Sequence, residues 1–178
     1  MRPYEIFSQL TRPRVEDILS FLLAHDKPFY KATIESLARQ RKLRAVFVLR
    51  KTPPERHAWM HEVLSKKQSD AVCAHLLQAW LVGAHPKLLC DFLDSLGIPH
   101  EENGTVDSLP PPPEKEALRK AVNTVLEKHD RELAAIYLHS FQALDDTGWT
   151  VLDELLTEDE RLRFPASTPT APTPLPGG

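Results

Sequence analysis

Apolar residues recur every three to four positions along most of the chain, the spacing that lays one apolar stripe down a helix. Between residues 114 and 128 they fall at Ala117, Leu118, Ala121, Val122, Val125 and Leu126, with Glu114, Lys115, Glu116, Lys120 and Glu127 on the other side. Stripes of the same period pass through Val15, Ile18, Leu19 and Leu22, through Leu89, Phe92, Leu93 and Leu96, and through Val151, Leu152, Leu155 and Leu156. Two segments, 70–82 and 132–144, are apolar on nearly every side, which predicts helices covered by their neighbours. The punctuation agrees with this reading. Pro13, Pro28, Pro54 and Pro86 suit first helical turns, Gly97 suits a helix end, and Asp145, Asp146, Thr147 and Gly148 suit a tight turn between helices.

One run is ambiguous. Ala45, Val46, Phe47, Val48 and Leu49 are continuous and rich in β-branched residues, and periodicity alone does not separate a buried strand from a buried helix end. No second segment carries a strand pattern to pair with it, so helix or extended coil is expected there. The predicted architecture is therefore all-α: eight or nine helices in a bundle or a short α-solenoid.

A shift of 62 residues lays Trp59, Val63, Leu64 and Lys66 on Ala121, Val125, Leu126 and Lys128, and carries Leu76 onto Leu138 and Leu93 onto Leu155. Each copy, 54–96 and 116–158, reads amphipathic helix, mostly apolar helix, short turn, amphipathic helix. A weaker echo opens at Ile18. Two related helical units are therefore expected, and a third within 1–51, as in stacked helical repeats that bury a shared core and present a long surface. The tetratricopeptide and ankyrin patterns are absent. The expected organisation is one all-α domain over 1–163, with an N-terminal unit 1–51, repeat units 54–96 and 114–158, and a linker 97–113 stiffened by Pro110 to Pro113. The tail 164–178, with prolines at 165, 169, 172, 174 and 176 and almost nothing to bury, is predicted to be disordered.

Composition narrows the function classes. The chain has 178 residues, 42% hydrophobic and 26% charged, with a net charge of -3, the composition of a soluble globular protein. Its six glycines form neither a GxGxxG fingerprint nor a GxxxxGK loop, which removes the common nucleotide-phosphate cradles. No apolar run reaches bilayer length, and the N-terminus has no apolar signal core, so a cytoplasmic location without a membrane partner is expected. Cys73 and Cys90 lack CxxC spacing and fit reduced thiols. No cofactor is expected.

Three groups of residues stand out. His57 and His61, one helical turn apart, face the same way and have the spacing of two metal ligands, although Ala58 stands where a zinc-protease helix carries its glutamate. His75 and Gln78 interrupt the apolar segment 70–82, and the repeat places Tyr137 and Ser140 at the matching positions. With His139, that polar lane predicts either residues satisfied within the core or the lining of a ligand pocket. Residues 27–56 hold nine basic side chains, among them Arg39, Arg41, Lys42, Arg44, Arg50 and Lys51, against Glu35 and Glu55, while 131–164 hold eight acidic against three basic. Such polarity suits a protein partner or a second copy of the chain. It also suits nucleic-acid phosphates, with Phe29, Tyr30 and Phe47 available for stacking. No serine or cysteine has the context of a nucleophile. The expected function is a non-catalytic cytoplasmic interaction module that binds a protein partner. The alternatives are nucleic-acid binding through 27–56, and a metal- or small-ligand enzyme built on His57 and His61 or on His75 and Tyr137.

Overall fold

The computed structural model describes residues 1–143 and 148–164, and the described chain is all-α, with no strand. Ten α-helices are present among these residues: α1 Pro3–Gln9, α2 Arg12–His25, α3 Lys27–Gln40, α4 Ala45–Leu49, α5 Pro53–Leu64, α6 Asp70–Ala84, α7 Pro86–Ser95, α8 Lys115–Lys128, α9 Arg131–Gln142 and α10 Thr150–Glu158. Single 3-10 turns at Lys67–Ser69 and Glu160–Leu162 complete the set. The count exceeds the expected eight or nine because α1 and α4 are too short to show an apolar period.

The helix starts follow local chemistry. Proline occupies the first turn of α1, α2, α3, α5 and α7, where its missing N–H is not needed. Asp26 accepts from Phe29 N at 3.0 Å and Asp130 from Leu133 N at 2.9 Å, side-chain caps for otherwise unpaired donors. Thr52 and Glu55 form a capping box at α5. Gly97 follows α7 with φ +66, a left-handed position that ends a helix without Cβ strain. The turn expected at 145–147 and the tail from 165 onward lie outside the described residues.

The fold is organised about α6. It packs against α1, α2, α5, α7 and α9, and Cys73, Leu76, Leu77, Trp80 and Leu81 on it are buried. On one side lie α2, α3, α4 and α5; on the other α7 meets α8, and α8 and α10 pack with α9. One contiguous buried cluster runs through both sides, from Ile6 to Phe164. Polar ties reinforce it: Thr11 N donates to Glu132 at 3.2 Å, Arg14 reaches Asp130 and Glu132, and Lys128 and His129 both meet Asp91 at 2.8 Å. The segment 70–82 is not covered all round. His75 and Gln78 are exposed, because α6 is flanked by helices on its buried face and leaves the opposite edge open.

The 62-residue shift carries the order α5, α6, α7 onto α8, α9, α10. The third helices pack differently. Buried Leu88 of α7 corresponds to exposed Thr150, and exposed Asp94 corresponds to buried Leu156, while α7 makes its largest contact with α8, across the boundary between the two units. No helix of the described residues is long and apolar enough to cross a membrane.

Phe92 is fully buried and meets Tyr137 and Phe141 edge-on at 5.5 and 5.4 Å between ring centroids. Phe92→Ala is expected to lower unfolding free energy by about 3–5 kcal/mol, whereas Phe47→Ala, on the surface, should stay within about 0.5 kcal/mol of the parent. Urea denaturation of both variants checks this contrast.

Candidate interaction surface

Helix α3 ends at Gln40 and the chain reverses through Arg41 to Arg44 into the single-turn helix α4. Lys42 adopts φ +54, a left-handed conformation that costs a non-glycine residue about 1 kcal/mol. Leu43 N closes the α3 end on Ala38 O at 2.8 Å, so Leu43 leaves the helix pointing away from the core, 46% exposed. Residues 45–49 are helical, as their lack of a strand partner requires. Only Val48 of α4 is buried; Val46 is 44% and Phe47 56% exposed. Three of the four large exposed apolar residues among those described therefore sit within five positions of one another, the fourth being Met1.

The same stretch carries the cations. Arg39, Arg41, Lys42, Arg44, Arg50 and Lys51 are all exposed. Arg41 pairs with Glu62 at 2.6 Å; among the described residues no ion pair holds the other five. Elsewhere most arginines are engaged, as in Arg2 with Asp70, Arg14 with Asp130, and Arg161 with Asp159. The result is an apolar ridge bordered by unneutralised positive charge.

A buried relay fixes this ridge to the core. Arg56 donates to the carbonyls of Leu49 and Lys51 at 3.2 and 3.0 Å, tying down the C-terminal end of α4, and its guanidinium lies over the Tyr30 ring. Tyr30 Oη meets His57 Nε2 at 2.9 Å, and His57 Nδ1 faces Glu16 at 3.1 Å. Burial raises the Tyr30 pKa, with Arg56 opposing. Tyr30 is thus an internal strut and is unavailable for base stacking; Phe29 is half-buried, and Phe47 alone of the three is exposed.

Among the described residues no third ligand-type side chain joins His57 and His61. His57 is spent on Tyr30 and Glu16, His61 Nε2 contacts Phe7 O at 2.8 Å, and no group of three or more His, Cys, Asp or Glu able to hold an ion occurs among the described residues. Neighbouring positions on a helix brought the rings to one side, but different helices claimed them. Burial pushes the Cys73 thiol up, and Cys90 is raised likewise, so neither is an activated thiolate. No serine hydroxyl or cysteine thiol bonded to a histidine ring occurs among the hydrogen bonds described; Ser65 Oγ donates to the backbone carbonyl of His61.

The polar lane splits. Gln78 and Tyr137, with Ser140, line a cavity of about 310 Å³ between α6, α7 and α9. His75 is exposed and outside that lining, and His139 turns away, its Nε2 at 3.2 Å from Leu162 O and its ring against Phe164. The sequence placed these residues on the correct helices but not on the same face. It missed Leu43 and Val46 as exposed anchors; the signal was there in the basic residues that flank an apolar run on both sides. Set against protein-family models, curated proteins and solved structures, the chain matches none.

Burial lowers the pKa of His85 and His139, so the unfolded chain takes up these two protons first as pH falls. Stability is then expected to be lost as pH drops below about 6.5. Half-buried His100 has a raised pKa through the Glu101 carbonyl and Asp94 and acts weakly in the opposite direction. Urea midpoints at pH 7.5 and pH 5.5 should therefore lie closer together in the H85Q/H139Q variant than in the parent. Lys42→Gly should stabilise by about 0.5 kcal/mol, because relief of left-handed strain exceeds the added chain entropy; the same melts at pH 7.5 read it.

Proposed function

We propose that this chain is a non-catalytic helical interaction module of the cytoplasm, and that the ridge of Leu43, Val46 and Phe47 docks an acidic protein segment carrying apolar anchors. The observation that supports the reading is the coincidence of exposed apolar side chains with unpaired cations on one short stretch. An aromatic flanked by arginine is the composition of an interface centre, where a few such residues carry most of the affinity. The surrounding charge steers an acidic partner and weakens competing ones. Free thiols at Cys73 and Cys90 accord with a reducing compartment.

Two features favour a protein over nucleic acid. Phosphates need cations alone, and a ridge with two aliphatic side chains gives bases little to stack on. Tyr30, the second aromatic of the segment, is engaged inside with His57. A distinct partner is also favoured over a second copy. Part of the chain's own acidic face is already neutralised, Glu154 and Glu158 by Lys115 and Asp159 by Arg161.

Selection of a random displayed peptide library on the purified protein tests this. Recovered sequences should combine Asp or Glu with Leu, Phe or Trp, and Phe47→Ser and the pair R44E/R50E should each weaken a recovered peptide by about tenfold or more. Recovery of no such class would overturn the proposal. So would tight, steeply salt-dependent binding of a single-stranded oligonucleotide that R44E/R50E abolishes and Phe47→Ser leaves intact, which is the signature of phosphate contact.

A further inference from the structure

We propose that the cavity between α6, α7, α9 and residues 104–109 binds a small uncharged amphiphile, a hydrocarbon body with a single hydroxyl-type head. At about 310 Å³ it falls in the range of small-molecule sites. Its floor is buried and apolar, formed by Leu77, Leu81, Leu93 and Phe141. Its rim is polar and neutral, with Gln78 and Thr105 exposed beside it.

The head-group chemistry follows from what surrounds the space. Among the described residues no Asp, Glu, Lys, Arg or His lines it. A carboxylate or phosphate drawn inside would lose its hydration and meet no countercharge, so the occupant is neutral. Ser140 Oγ is buried and has no hydrogen-bond partner among the described residues, although a helical serine ordinarily bonds the carbonyl one turn back. A hydroxyl group, donor and acceptor at once, can satisfy both that oxygen and the Gln78 amide.

The walls are held in place by specific contacts. Gly104 has φ +78 and brings its backbone so close to Leu89 that any Cβ there would collide with that side chain. Trp149 Nε1 donates to Pro110 O at 3.2 Å, securing the far end of the same segment. A long ordered connection without its own secondary structure is commonly a functional one, and here it forms one side of the space.

Fluorescence of aminoanthracene, a neutral apolar probe, tests the site. Enhancement should saturate, decanol should displace the probe, and decanoate should do so at least about tenfold less well. Ala74→Trp fills the space and should abolish the saturable signal while circular dichroism stays helical. Val82→Trp, on the half-buried rim, serves the same purpose if the first variant does not fold. Gln78→Leu should narrow the preference for decanol over decanoate. Unsaturable enhancement, equal displacement by decanoate, or an unchanged signal in the folded filling variant would each overturn the proposal.

Discussion

The burial of α6 holds the two sides of the molecule together. Trp80, Leu76, Leu77 and Cys73 are all enclosed, and five other helices rest on the faces they form. Because α6 is short of polar positions, nearly all of its length is available for packing. Its one polar edge, His75 and Gln78, then marks where covering stops, and Gln78 where the cavity begins. The α2 to α5 side inherits its position through α2 and α5, and with it the place of α4, which packs on α3. The candidate docking ridge is therefore a consequence of where the core ends.

That ridge shows how local strain and exposure are sustained by interior structure. A five-residue helix with one buried side chain has little stability of its own, since short helices are marginal without tertiary support. Arg56 supplies it by closing the Leu49 carbonyl of α4 and that of Lys51 just beyond it, with Tyr30, His57 and Glu16 beneath. The left-handed Lys42 aims the chain outward at the other end. Apolar side chains held in water in this way lower solubility and add no folding energy, which is the ground of the proposed binding role.

The fold class was legible in the sequence because long stripes such as Leu118, Ala121, Val122 and Val125 report their period directly. Pro13, Pro28, Pro54 and Pro86 marked where helices start, whereas the caps at Asp26, Thr52 and Asp130 emerged only with the structure. What stayed illegible was rotation about a helix axis within the assembly. His75, Gln78, Tyr137 and His139 lie on the expected helices, yet only Gln78 and Tyr137 reach the same space. His57 and His61 share a helix yet meet different neighbours for the same reason: spacing along one helix says nothing of what each ring contacts. The segment 45–49 was misleading in a different way, since its apolar composition suggested burial while its short length leaves room to bury Val48 alone.

The central claim is that position 47 meets a protein partner. A photo-crosslinking amino acid placed at Phe47, and as a control at exposed Lys120 on α8, measures this directly in the cells that make the protein. The account predicts a discrete protein adduct from position 47 that is absent from position 120 and lost when Arg44 and Arg50 are changed to glutamate. Equal crosslinking from both positions, or adducts from position 47 that consist of nucleic acid, would contradict it.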